Sequence, residues 1–109
     1  MTDALTKYQE CVQTWKETPF DKLNQTAELM KDFAIVLSDL TMHKIDFKKR
    51  WNAHVYRITS AQEKKNISAA ERDADFSIPE LQELREVIRA GTNILDAIRS
   101  QVSLLKQEQ

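Results

Sequence analysis

The chain has 109 residues with one glycine, two prolines and one cysteine, and its formal net charge is −1. That length holds a single domain with a modest core, and so few turn residues exclude a sheet protein. The lone Cys11 excludes an internal disulfide and makes a reducing cytosol the expected location; no apolar run approaches the roughly 18 residues of a membrane span and no signal-peptide pattern opens the chain.

The first predicted helix covers residues 3–17, where Leu5, Tyr8, Val12 and Trp15 recur at steps of three, four and three and form one apolar stripe. Thr18-Pro19 ends it, because proline lacks the N–H and disfavours helical geometry at the residue before it. The same pair reads as the start of the next helix, with Thr18 as N-cap and Pro19 in the first turn.

Residues 20–65 are predicted as one long basic middle helix, about 70 Å from end to end if straight. Leu23, Ala27, Met30, Ala34 and Leu37 mark one stripe, and Leu29, Phe33, Val36 and Leu40 an adjacent one. Phe47, Trp51, Val55 and Ile58 continue downstream. Ser38-Asp39-Leu40-Thr41 is the place for a bend or a hairpin, since three of its side chains compete for backbone hydrogen bonds. Residues 66–77 read as a connection with low apolar density, with a short helical turn allowed by the capping-box form of Ser68-Ala-Ala-Glu71.

The last helix is predicted over 78–107, opened by a second capping box, Ser77-Ile-Pro-Glu80. Leu81, Leu84, Ile88, Gly91, Leu95, Ile98, Val102 and Leu105 alternate steps of three and four, a sustained heptad seam. Such a seam serves either as the buried face of a bundle helix or as the surface that joins copies of the chain. Gly91 on the seam permits an unusually close neighbour. The fold class is therefore all-α, with three to four helices, and self-association is expected through residues 81–105.

Charge is segregated along the chain: residues 1–42 sum to −3, residues 43–65 to +5 and residues 66–109 to −3. His43 and His54 have no zinc-ligand spacing with Cys11, and Glu71, Asp73 and Asp75 lack a calcium-loop glycine. There is no phosphate-binding loop, nucleophile elbow or metalloprotease motif. No enzyme activity, metal or cofactor is expected. The basic stretch is more informative, because Lys44, Lys48, Arg50, Arg57 and Lys64 fall at spacings that bring much of the charge to one face. Trp51 and Tyr56 are interleaved as stacking platforms for bases, and the cations suit phosphates. The same stretch also reads as a solvated face paired with acids of another helix, with Trp51 in the core.

Two segments carry a family resemblance. Arg57-Ile58-Thr-Ser-Ala-Gln-Glu-Lys64-Lys65 and, further on, Gly91 followed by Leu95-Asp-Ala-Ile-Arg-Ser100 resemble, in order, the basic helix and the C-terminal assembly helix of the T-even-type phage recombination mediators, the UvsY family. After the Lys-Lys pair the family carries a Lys-x-Arg element. Here the stretch is Ser68-Ala-Ala-Glu71-Arg72, with Arg72 as its out-of-register counterpart. The resemblance implies a helical homo-oligomer in the host cytoplasm that binds single-stranded DNA and helps load a recombinase onto strands coated by single-strand-binding protein. The residues expected to meet DNA are Lys44, Lys48, Lys49, Arg50, Trp51, Arg57, Lys64, Lys65 and Arg72. The alternative is a helical protein–protein interaction module, such as an inhibitor, adaptor or assembly factor, with no affinity for nucleic acid.

Overall fold

The computed structural model describes residues 2–19, 21–61 and 66–108. Among them there are four α-helices and no strand: α1 Thr2–Glu17, α2 Leu23–Ser60, α3 Ile67–Ser77 and α4 Glu80–Gln107. None of these helices is long and apolar enough to cross a membrane.

The turn after α1 is set by proline, with Thr18 in a different role from the one expected. Its N–H and its hydroxyl both donate to the Thr14 carbonyl, at 2.9 and 2.6 Å, so Thr18 extends α1 and does not cap α2. The Lys22 N–H reaches back to the Pro19 carbonyl at 3.3 Å, and α2 begins at Leu23. From there it runs 38 residues without interruption, a length of about 57 Å. Ser38–Thr41 makes no break. The Thr41 hydroxyl donates to the Leu37 carbonyl at 2.8 Å, a bond that fits inside the helix, and Ser38 and Asp39 face solvent.

The stretch expected as a connection is largely α3. Its cap is Asn66, whose side-chain oxygen accepts from the Ala69 N–H at 3.0 Å; the Ser68 capping box is not formed. Ala70 and Ala74 are its buried face, and their small side chains let α3 lie close to α2. The second expected box is also absent. Ser77 closes α3, and Pro79 occupies the N-cap of α4 with no side-chain cap bond. Glu80 and Glu83 in the first turn of α4 favour its positive dipole end.

The molecule is a rod of 67 × 25 × 17 Å with α2 as its spine. α1 and α4 cover the first part of α2, forming a three-helix body. Leu29, Phe33, Val36, Leu37 and Leu40 of α2 are buried there with Ala4, Cys11, Leu84, Leu95, Ile98 and Val102. The Tyr8 ring stands edge-on to Phe33 at 6.3 Å. Gly91 marks a close meeting of the three helices: a Cβ there would sit 2.6 Å from Leu37 Cδ2 and 2.9 Å from Tyr8 Cε2.

Beyond Phe47, which still packs against the core of the body, the second part of α2 pairs with α3 as a two-helix arm. No residue of α2 from 41 to 60 is buried, and Phe47, Trp51, Val55 and Ile58 are half-covered. The heptad seam of α4 has a different fate from the expected self-association surface. Leu81, Leu84, Gly91, Leu95, Ile98, Val102 and Leu105 are buried within one chain, and Ile88 is half-buried. The seam is core, so any second copy has to use another surface.

Candidate nucleic-acid interface

The continuous α2 fixes the direction of every basic side chain on it. At about 100° per residue, Lys44 and Lys48 lie near the α3 side with Trp51, Arg50 and Arg57 form a row on one flank, and Lys49 points from the back. Lys48 and Arg50 are about 160° apart on that count, so the single basic face expected from the spacing divides into three directions. Lys49, Arg50 and Arg57 are exposed, Lys44 and Lys48 half-buried. Arg72 is exposed on α3. Lys64 and Lys65 lie outside the described residues.

Trp51 is not the free stacking platform it was expected to be. Its indole N–H donates to the Asp75 carboxylate at 2.8 Å, and the Lys48 ammonium sits 3.8 Å from its ring centroid. One turn along, His54 Nε2 is 2.6 Å from the Asp73 carboxylate. These two contacts fasten α3 to α2 and use the carboxylates of Asp73 and Asp75. The Arg50 guanidinium lies 5.2 Å from the Phe47 ring centroid. A cation over an aromatic face keeps its charge and much of its hydration.

Asp73 and Asp75 of α3 therefore hold the arm together and, among the described residues, form no ion pair with its lysines and arginines. The close contacts between a basic side chain and a carboxylate among the described residues are the His54–Asp73 hydrogen bond and the Asp96–Arg99 ion pair. Neither involves Lys44, Lys48, Lys49, Arg50, Arg57 or Arg72, so the internally paired reading of the basic stretch does not hold among these residues. The segregation along the chain becomes a segregation in space. The described residues of the arm, 41–61 and 66–78, sum to +2, against −3 for residues 1–40 and −1 for residues 79–109.

Two aromatic rings stand free on this positive arm. Tyr56 is 73% exposed on the back of α2, and Phe76 is 88% exposed on α3. Phe76 sits one turn after Arg72 and on the side away from α2, since Ala70, Ala74 and Ile78 mark the inward row four residues apart. Sequence alone does not single it out, because residues 66–77 read there as a connection. The alanine period at 70 and 74 was the signal that would have placed it.

Cys11 and Tyr8 belong to the body. Burial raises both their pKa values, helped at Cys11 by the nearby Asp32 and Glu10 carboxylates. A thiol held neutral in this way is a core side chain with little nucleophilic character. No protein-family model, curated protein or solved structure matches the chain.

Proposed function

We propose that the chain binds single-stranded DNA through its arm, as a non-catalytic accessory of recombination or repair in the cytoplasm. The observation that carries this reading is the set of six cations without an ion pair among the described residues, grouped on the arm with an exposed Phe76. Arg50, Arg57, Arg72, Lys49, Lys48 and Lys44 supply positive charge in several directions around a thin rod. That arrangement suits a flexible strand that wraps, and no groove of fixed shape is required. Phe76 offers a ring for a base to stack on, with Arg72 one turn away to take a phosphate. Loading a recombinase, the role of the family resembled, is the task such binding would serve.

Fluorescence anisotropy of a labelled oligo-dT tests the reading. Affinity should fall steeply between about 50 and 200 mM salt, with a log–log slope near −0.7 per phosphate neutralised. The triple change Lys48→Glu, Lys49→Glu, Arg50→Glu should abolish binding while leaving helicity unchanged. Phe76→Ala should weaken binding by about 1–3 kcal/mol with little change in the salt slope. Unchanged affinity in the triple variant sinks the assignment and leaves a protein-binding module in its place.

A further inference from the structure

The side of α2 that α1, α3 and α4 leave open carries a repeat of its own. Ile35, Met42, Lys49 and Tyr56 recur every seven residues, with Ser38, Ile45 and Asn52 between them, and all seven side chains are exposed. Met42 is 65% exposed and Ile35 57%. The stripe is about 32 Å long, and a seven-residue period drifts about 20° per repeat along the left-handed path that a companion helix follows. One edge of the stripe is acidic in its first half, at Glu28, Asp32, Asp39 and Asp46. The same edge is basic in its second half, at Arg50 and Arg57. Asp3 and Lys7 of α1 border this acidic half, lining a shallow groove with Asp39, Met42, His43 and Asp46.

We propose that this stripe docks a second copy of the chain, antiparallel, in a two-fold dimer. Charge decides both the partner and the direction. A parallel two-fold pair would stack Lys49 on Lys49 and place the two charged edges on opposite sides of the seam, away from each other. The antiparallel pair lays the basic half of each α2 along the acidic half of the other. With Met42 against Ile45 of the second copy, a contact that the two-fold axis repeats, every other level follows. Lys49 falls beside Ser38 and Asp39 of the second copy, Arg50 falls near Asp39, and Arg57 falls between Glu28 and Asp32. Tyr56 meets Lys31, a cation on a ring. The apolar centre supplies the attraction, and the rim charges chiefly choose the orientation. The α4 seam then closes each monomer while α2 joins two of them.

The inference does not rest on the nucleic-acid reading, since Met42 and Ile45 have no part in it. Lys49, Arg50 and Arg57 are the rim residues that the two share, and there a strand competes with the second copy's carboxylates. Sedimentation equilibrium tests the dimer. The chain should sediment at twice its 12.7 kDa mass. Met42→Asp with Ile45→Asp should return it to one chain mass at unchanged helicity, because both residues are exposed. Leu104→Asp, an exposed apolar site on α4 outside the stripe, should leave the dimer intact. In a Cys11→Ala background a short bismaleimide should join Ile45→Cys copies near the two-fold axis. It should not join Tyr56→Cys copies, whose cysteines stand about 37 Å apart along the axis. A chain that is monomeric at every concentration overturns the proposal. So does a dimer indifferent to the Met42/Ile45 pair, or one joined through Tyr56→Cys.

Discussion

The two parts of α2 belong to one helix and carry similar apolar spacings, yet they live in different surroundings. In the body, Phe33 and Leu40 are fully buried between α1 and α4. In the arm, Trp51, Val55 and Ile58 meet a single short helix and stay half-covered. Full burial of a large apolar side chain is worth about 1.5–3 kcal/mol, and the arm forgoes most of that. It relies on the close approach at Ala70 and Ala74 and on two polar contacts, Trp51 to Asp75 and His54 to Asp73. Periodicity sets which residues face inward; the number of neighbouring helices decides how much that facing stabilises. The arm keeps its charges and two of its rings in water as a result, which is what a binding surface needs.

That contrast can be broken at three levels. The largest effect belongs to Phe33→Ala, which removes the centre of the body and the edge contact with Tyr8. A loss of about 3–5 kcal/mol is expected in urea unfolding, against about 1 kcal/mol for Val55→Ala in the half-covered arm. Equal losses would mean that the arm is packed as firmly as the body.

Next in size is Trp51→Phe, which keeps a ring but leaves the Asp75 carboxylate without its indole donor. About 1.5 kcal/mol should be lost, and lost locally. Hydrogen exchange at the Ala70 and Ala74 amides should quicken, while Leu37 and Ile98 amides keep their protection. Quickened exchange throughout would show body and arm to be one cooperative unit.

The smallest effect is alkaline. Cys11 and Tyr8 ionise less readily in the folded body than their ordinary values of 9.0 and 10.0, so the unfolded chain gives up those protons first. Stability is full below about pH 9 and declines as pH rises through the raised values. The urea midpoint should fall between about pH 8 and about pH 10.5, and Cys11→Ala should flatten that fall.

How much of this was legible in the sequence follows from the kind of signal each element leaves. The stop at Pro19 is covalent, and the α4 seam is eight positions long, so both could be read directly. α3 hid because its inward face is built from Ala70 and Ala74, which add little to apolar density. The partner of the seam was not legible, since steps of three and four look the same whether the facing helix belongs to the same chain or to another. Gly91 pointed to a close neighbour, and the neighbours are the side chains of Leu37 and Tyr8 rather than a second backbone. Trp51 among lysines suited stacking on DNA as well as a bond to Asp75; only the position of α3 separates the two. Phe76 and the α2 stripe from Ile35 to Tyr56 emerge once it is known which faces are left uncovered.

The placement of charge along the rod has a kinetic consequence. The chain carries almost no net charge, so a distant polyanion exerts little overall pull on it. Its positive arm and negative body nevertheless form a long electric dipole, and a field acts on a dipole as a torque. Near a strand of phosphates the rod should turn arm-first before it touches, which raises the fraction of encounters that lead to capture. Added salt shortens the range of that turning to about 10 Å at 0.1 M. On the proposed single-stranded-DNA reading, association should therefore slow with salt even where equilibrium binding is still tight.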